Sequence, residues 1–263
     1  MTETPPALPP GPSGPQGPSM SLMARLLNVF ATPGEVFDDI KAAKPSTASW
    51  LVPALLTAVV MALTTIIVMS QPAIQQKMRE QQEQMIEKQV QAGRISRADA
   101  EKQLAIMEKF SGPTMKAVSG VLTGIIYGFV RVFWWATVLW LLGRWLLKVP
   151  FPYLKSMEAA GLAGMIGVLG MIVTLLLQVN LSDLNSSPSL ALLVKEFDPK
   201  KTSHLLLGAV NVFHIWQAAI LAMALSRLAA VPFVRGALTF LPFWFLFVFV
   251  MLIITAGVSR LMG

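Results

Sequence analysis

The sequence predicts an all-α fold: a polytopic membrane helical bundle with five transmembrane helices, an extramembrane helical hairpin and N-terminal amphipathic helices. Three observations predict this class. The 263 residues are 54% hydrophobic and only 13% charged, whereas a soluble domain carries about 25% charged residues. Five apolar runs reach the length of about 20 residues that crosses about 30 Å of hydrocarbon. The charges are also concentrated, because 14 of the 35 charged residues fall between positions 70 and 116.

The N-terminal region divides into a tail and a helical segment. Residues 1–20 hold seven prolines and three glycines, a composition that predicts a disordered, solvated tail. Apolar residues at helical spacing predict two short amphipathic helices over residues 21–49, with Arg25 opposite the first apolar stripe and Asp38 and Asp39 on a solvated face. Two placements remain open for these helices. They lie flat in the membrane interface, or they pack onto the cytoplasmic ends of the spans.

The membrane domain is predicted over residues 50–257. Its five spans cover approximately residues 50–69, 118–147, 159–179, 205–225 and 236–257. Pro53 lies in the first turn of the first span, where its missing N–H costs little, whereas Pro242 lies deeper and predicts a kink in the fifth. Glu158 stands at the mouth of the third span, so we expect it in the interface.

The largest polar element is a predicted helical hairpin over residues 71–116. Apolar residues recur at helical spacing until Gly93 breaks the run, and Ser96 then offers a new N-cap. Glutamines cover the other faces. Amphipathic arms with exposed polar faces are able to pair with other helices, so we expect this hairpin to bind a membrane or extracytoplasmic protein partner.

The distribution of basic residues predicts an orientation. With the hairpin counted as a folded unit, eight basic residues flank the spans on the N-terminal side and four on the opposite side. Basic residues are enriched in cytoplasmic loops. We therefore expect a multi-pass protein of the cell membrane with a cytoplasmic N-terminus and an extracytoplasmic C-terminus.

Two glycine stripes predict close helix packing. The second span has glycines at every fourth position, Gly120, Gly124 and Gly128. The third span has glycines at every third position, Gly161, Gly164, Gly167 and Gly170. Small residues let helix backbones approach each other in lipid, where apolar side chains gain little from mutual contact. Packing within the chain is favoured, and homo-oligomerisation is the alternative.

A polar cluster is predicted inside the bundle. Arg131 is the one charge deep within an apolar run, where a charged side chain costs about 2.5–3.5 kcal/mol to insert. The fourth span carries three polar residues at spacings of three, Asn211, His214 and Gln217. Counted from the same membrane surface, Arg131 and His214 lie at similar depth. We predict that these four side chains meet at a lipid headgroup or small solute; the alternative is an arginine that snorkels to the interface, together with hydrogen bonds between the helices.

The residue types exclude several chemistries. The chain has no cysteine, which excludes disulfides, thiolate metal sites and cysteine nucleophiles. It carries no hydrolase or zinc-protease motif and no phosphate-binding glycine loop. We therefore expect no catalytic residue, no bound cofactor and no metal. The net charge of +7 is assigned to contacts with the lipid bilayer, and no nucleic acid partner is expected.

Two segments resemble a known family. The sequence FATPGEVF at residues 30–37, followed by Trp50-Leu-Val-Pro53, resembles the entry segment of the bacterial branch of the Yip family, named for Ypt/Rab-type GTPases that its eukaryotic members bind. The sequence NVFHIW at residues 211–216 is similar to that branch's second recurring segment, where aspartate is more usual than Asn211. The resemblance covers residues 21–257 and implies a five-helix membrane domain without known catalytic residues. GTPase binding is not expected, since the chain lacks the Asp-Leu-Tyr-Gly-Pro segment of the eukaryotic relatives.

These features predict a non-enzymatic scaffold or adaptor in a bacterial inner membrane. The rival class is a small-solute or lipid transporter, or an accessory subunit of a membrane transport or efflux complex. The two classes require different interiors. A transporter needs a water- or lipid-accessible cavity near Arg131 and His214, whereas a bundle packed solid through its glycine faces favours the scaffold.

Overall fold

A computed structural model describes residues 19–110, 112–195, 197–198 and 201–261. The regular structure in these ranges is helical. Ten α-helices follow one another within them: α1 Leu22–Ala31, α2 Pro33–Ala42, α3 Ala48–Ser70, α4 Pro72–Gln91, α5 Arg97–Phe110, α6 Pro113–Leu141, α7 Tyr153–Leu181, α8 Thr202–Ala209, α9 Val212–Leu228 and α10 Phe233–Leu261. A short π-helix, Leu142–Leu146, extends α6. The predicted tail lies outside the described residues except for its last two positions.

Four helices of the described chain are long and apolar enough to cross a membrane. They cover Ala48–Ser70, Ala117–Leu146, Tyr153–Leu181 and Phe233–Val258. These four correspond to the first, second, third and fifth of the predicted spans. Their lengths of 23 to 30 residues exceed the roughly 20 that a bilayer requires.

The prediction of one continuous helix over residues 205–225 is wrong. The chain instead forms α8 and α9, separated by Val210 and Asn211. At this break the backbone pairs with an earlier loop, and the amide of Val212 donates to the carbonyl of Pro188 (3.1 Å). Asn211 has extended backbone angles, and its side chain accepts hydrogen bonds from the amides of Phe213 and His214 in the first turn of α9. This is the geometry of a helix N-cap, so the helix begins again at this point.

Close backbone packing joins α3 to α6. A Cβ added at Gly124 would lie 2.5 Å from the carbonyl oxygen of Ala58, and one at Gly128 would lie 2.6 Å from that of Ala54. Only glycine fits at these distances. The helices α3, α6 and α7 pack against one another, and the bundle continues from α7 to α9 and from α9 to α10.

The bundle has two distinct ends. The first, called here the α1–α2 end, holds α1 and α2 together with the N-terminal ends of α3 and α7. The second, called the α4–α5 end, holds the C-terminal ends of α3 and α7, because Lys77 Nζ of α4 donates to the carbonyl of Ser182 (2.9 Å). The two ends lie on opposite sides of the spanning helices.

At the first of these ends, α1 and α2 pack onto the spans. Val29, Val36, Phe37 and Ile40 are fully buried, and α2 lies against α7 and α9. The structure therefore shows the second of the two predicted placements, in which α1 and α2 pack onto the ends of the spans. Met23 keeps 64% of its surface exposed on the outer face of α1, so that face remains available to the membrane.

A buried cluster of charges connects α1 and α2 to α7. Arg25 donates from Nε to Asp39 Oδ2 (2.8 Å) and from Nη1 to Ser49 Oγ (2.9 Å). Glu158 is fully buried, with Lys155 Nζ at 3.1 Å and Arg25 Nη1 at 3.6 Å from its carboxylate oxygens. Three expectations are corrected: Arg25 is buried, Asp39 is paired, and Glu158 lies inside the protein instead of in the interface. The burial of Arg25 and Glu158 follows from the docking of α1 on α7, a contact between distant parts of the chain, whereas Asp39 is paired through the contact of α2 with α1.

The hairpin region consists of α4 and α5, which contact each other. The chain turns at Gly93, whose φ of 66° lies in the left-handed region that suits glycine. Ser96 Oγ then accepts a hydrogen bond from the amide of Asp99 (3.1 Å) at the start of α5. The chain therefore turns at Gly93, and the side chain of Ser96 caps the start of α5.

Candidate functional site

A cavity of about 430 Å³ lies between α6, α9 and α10 and is called here the Arg131 cavity. Two polar side chains come from α6, Tyr127 and Arg131, and two from α9, His214 and Gln217. The other lining residues are apolar, and many are aromatic: Val130, Trp134, Trp135, Ala218, Leu221, Trp244, Phe247, Val248 and Met251. None of these side chains carries a negative charge.

The guanidinium group of Arg131 fits against a glycine of the neighbouring helix. A Cβ added at Gly167 in α7 would collide with the terminal nitrogens of Arg131. The guanidinium lies 5.8 Å from the ring centroid of Tyr127, and its Nη2 donates a hydrogen bond to Gln217 Oε1. Within the described ranges, no carboxylate forms an ion pair with Arg131. Neutral groups therefore hold this cation.

Gln217 has an unused hydrogen-bond donor beside the cation. Its side chain is only 7% exposed, and its Nε2 is buried without a hydrogen-bond partner among the described residues. Because Oε1 accepts from Arg131, the free N–H groups of the amide are donors. A buried donor without a partner costs about 1–3 kcal/mol. The unpaired donor of Gln217 therefore lies buried directly beside the cation, with no acceptor for it among the described residues.

The other two members of the predicted cluster have different positions. His214 lies one turn before Gln217 and lines the same cavity. Asn211 does not line it; Asn211 Oδ1 accepts from the amides of Phe213 (2.9 Å) and His214 (3.4 Å). The structure therefore brings Arg131, His214 and Gln217 together and assigns Asn211 to the start of α9. The hydrogen bond from Arg131 to Gln217 joins α6 to α9, and interhelical hydrogen bonds of this kind belong to the alternative prediction as well.

The aromatic walls of the cavity connect α6 to α10. The ring centroids of Trp134 and Trp135 each lie 5.5 Å from that of Phe247. On the outer side of the same wall, Tyr127 is 43% exposed and Val130 is 59% exposed. The cavity therefore opens sideways, toward the surface of the bundle that hydrocarbon covers in a membrane.

Sequence reasoning missed these aromatic residues as part of a site. The pair Trp134-Trp135 lies one helical turn beyond Arg131, and this spacing was the available signal. The aromatic-rich run that contains Trp244 and Phe247 gave no comparable signal, because its side chains spread around the helix and fit lipid contact equally well.

The glycines of the two stripes have three different roles. Gly120, Gly124, Gly128, Gly161 and Gly170 lie where an added Cβ would come within about 3 Å of a neighbouring helix. Gly167 instead accommodates the guanidinium group of Arg131. Gly164 has no atom of another element within 4 Å of an added Cβ, so no packing constraint requires glycine there.

No metal centre emerges from the part of the chain that the structure describes. Among those residues, no three or more histidine, aspartate or glutamate side chains are grouped in a way that could hold a metal ion. The chemistry that the Arg131 cavity offers is therefore binding through hydrogen-bond donors and one positive charge, surrounded by apolar walls.

The bundle of long apolar helices and this lateral cavity define the chain as a multi-pass integral membrane protein. The comparison with protein families gives the particular family: the chain matches the Yip1 domain over residues 27–254 and belongs to that family. The family prediction from the two short sequence segments is thereby confirmed. Neither the curated proteins nor the solved structures include a match.

Proposed function

We propose that this protein is non-enzymatic and binds an anionic group inside the bilayer, at the Arg131 cavity. One observation carries the proposal: Arg131 has no carboxylate partner within the described ranges, and the buried amide of Gln217 beside it has unused donors. Hydrogen bonds between charged groups are roughly twice as strong as neutral ones. An anion that accepts from both side chains therefore satisfies the site better than water or hydrocarbon does.

The shape of the interior favours the transport-related class over a purely structural scaffold. A bundle packed solid by its glycines leaves no room for a ligand, and α3 and α6 do pack in this way. On the other side of α6, however, the chain leaves about 430 Å³ open beside its intramembrane cation. A planar guanidinium group recognises both carboxylate and phosphate, so these two groups are the candidate anions of a lipid-binding or solute-binding subunit.

We infer that α8 and α9 together form a fifth crossing. Leu205 and Leu206 of α8 line a groove with Phe249 and Ile253 of α10, whereas α9 faces the part of α10 closer to its N-terminus. The two short helices therefore follow successive parts of one helix that is long enough to span the membrane. Their combined length supports one complete crossing with a break at Asn211.

The exposed charges support an orientation for this five-crossing topology. The exposed basic side chains near the α1–α2 end are Lys41, Lys44, Arg144, Lys148, Arg227 and Arg235. The exposed acidic residues of α1 and α2 are Glu35 and Asp38. Since basic residues are enriched on the cytoplasmic side, we propose that the α1–α2 end is cytoplasmic. The resemblance to the bacterial branch of the family supports a bacterial inner membrane.

The test of the anion site uses the purified protein in a zwitterionic detergent. Titration with inorganic phosphate and with dodecyl phosphate is followed by the fluorescence of the tryptophans that line the cavity. We expect saturable binding that Arg131→Gln weakens by about 1.5–3 kcal/mol, the range for a hydrogen bond to a charged group. Arg144→Gln is the matched control, because Arg144 is exposed near the α1–α2 end and does not line the cavity. Equal binding by the wild type and Arg131→Gln contradicts the proposal.

A second candidate function is that of an adaptor that binds a partner through α4 and α5. The observation in its favour is the exposure of apolar side chains on an otherwise polar pair of helices, including Met85 (40%) and Ile106 (55%). A shallow depression at the turn, lined by Arg94, Asp99 and Ile106 among others, adds to this surface. If pull-downs with and without residues 73–110 recover the same proteins, the adaptor function is contradicted.

A further inference from the structure

The polar side chains of the Arg131 cavity lie toward one end of it along the membrane normal. On α6, Tyr127 and Arg131 precede Trp135, and on α9, His214 and Gln217 precede Leu221. Because α6 and α9 both run from the α4–α5 end toward the α1–α2 end, the polar groups of both helices lie nearer the α4–α5 end. With a rise of 1.5 Å per residue, the polar-to-apolar gradient extends over about 10 Å.

This gradient has the same direction as a lipid molecule in the adjacent leaflet. A lipid on the α4–α5 side of the bilayer keeps its headgroup toward that side and its chains toward the bilayer centre. A free inorganic anion does not contact the aromatic half of the cavity, where Trp134 and Trp135 contact Phe247. An amphiphile fills both halves, and its chain contacts the aromatic residues while its anion meets the donors.

The position of the opening indicates how such a molecule enters. Tyr127, Val130 and Trp134 are 43%, 59% and 44% exposed on the outer side of α6. The cavity is thus continuous with the hydrocarbon surface, and a lipid reaches it by lateral movement. The acyl chains of the lipid stay in apolar surroundings throughout this movement.

We infer, on the basis of the proposed function, that the ligand is an anionic membrane lipid of the leaflet at the α4–α5 end. Its phosphate accepts hydrogen bonds from Arg131, Gln217 and His214, and one acyl chain lies against Trp134 and Phe247. The lipid keeps the orientation that it has in the leaflet, and its headgroup lies deeper than those of its neighbours.

The experiment uses full-length protein in phosphatidylcholine liposomes that contain a small fraction of one brominated lipid. Bromine on an acyl chain quenches tryptophan fluorescence on contact. We expect brominated phosphatidylglycerol to reach half-maximal quenching at a roughly tenfold lower fraction than brominated phosphatidylcholine with identical chains. Arg131→Gln abolishes this preference and Arg144→Gln retains it. His214→Ala, a change at the exposed mouth of the cavity, reduces it severalfold and provides a second variant in case Arg131→Gln fails to fold.

The outcomes separate this inference from the function on which it rests. Equal quenching by the two brominated lipids in the wild type, or a preference unchanged in Arg131→Gln or His214→Ala, overturns the lipid inference. If inorganic phosphate still binds in detergent in an Arg131-dependent way, the anion site stands without the lipid. If neither probe depends on Arg131, the lipid inference and the proposed function both fail.

Discussion

Arg131 occupies its position because the neighbouring helix has no side chain at the point of contact. The terminal nitrogens of its guanidinium group lie where a Cβ at Gly167 would be, and Gln217 accepts one hydrogen bond from them. The glycine therefore positions a charged group, in addition to any contribution to helix packing. The same helix also provides a matched control for Gly167. Gly164 lies one turn earlier, and a Cβ added there would have no neighbouring atom within 4 Å.

We predict that Gly167→Ala weakens binding of inorganic phosphate and dodecyl phosphate by about ten- to a hundredfold, because the new methyl group displaces the guanidinium from Gln217. Loss of one hydrogen bond to a charged group, about 1.5–3 kcal/mol, gives this magnitude. The control Gly164→Ala has open space around its new methyl group and leaves binding unchanged. Fluorescence titration in detergent measures both variants, and equal effects of the two substitutions contradict the role assigned to Gly167.

Glu158 is the second residue whose environment depends on distant contacts. Lys155 has this carboxylate at 3.1 Å and the carbonyl of Ala43 at 2.8 Å as its partners. We predict that Glu158→Gln lowers the free energy of unfolding by about 3–5 kcal/mol, the cost of leaving a buried charge without its partner. Denaturant unfolding in mixed micelles measures the loss.

The matched control for Glu158 is an exposed ion pair at the same end of the molecule. Asp38 Oδ2 lies 3.1 Å from Arg227 Nη1, and both side chains are about half exposed. An exposed pair contributes about 0–1 kcal/mol, so Asp38→Asn has a small effect. A loss of stability in Asp38→Asn as large as that in Glu158→Gln would show that burial does not distinguish the two sites.

At the scale of the helices, the break before α9 decides which side chains reach the cavity. Asn211 caps α9 and so fixes the start of the helix on which His214 and Gln217 are carried. We predict that Asn211→Ala destabilises the protein by about 1 kcal/mol, the usual cost of a lost N-cap, whereas Asn211→Asp retains the cap. Thermal unfolding, together with amide hydrogen exchange over residues 212–215, measures the effect. Faster exchange in Asn211→Asp than in Asn211→Ala is the contrary result.

The elements differ in how far the sequence predicts them. Arg131 and His214 line the same cavity, and the regular rise of a helix allowed their similar depth to be predicted from residue numbers. Gln217 was placed with them by its helical spacing from His214. Asn211 has the same spacing, yet a short polar side chain before an apolar helix also satisfies free amides, and that local use prevails. Burial of Glu158 depends on the docking of α1, and the break at Asn211 depends on pairing with the loop at Pro188. Neither contact leaves a local pattern in the sequence.

For the whole molecule, the number of crossings determines which parts of the chain share a side of the membrane. The absence of cysteine allows single cysteines to be introduced and labelled with a membrane-impermeant maleimide. With five crossings, Gln84→Cys and Val258→Cys are labelled from one side, and Lys41→Cys and Lys148→Cys from the other. Labelling of Val258→Cys from the same side as Lys41→Cys indicates that α8 and α9 do not cross the membrane.

The most direct measurement of the central claim is an electron cryo-microscopy map of the protein in nanodiscs that contain phosphatidylglycerol. We predict elongated density between α6, α9 and α10, with its headgroup within about 2.7–2.9 Å of Arg131, the range of a charge-assisted hydrogen bond. The density should be absent in Arg131→Gln and present in Arg144→Gln. A well-resolved wild-type cavity that is empty, or in which Arg131 pairs with a carboxylate of the protein itself, would show that the cavity is not a site for an anionic lipid.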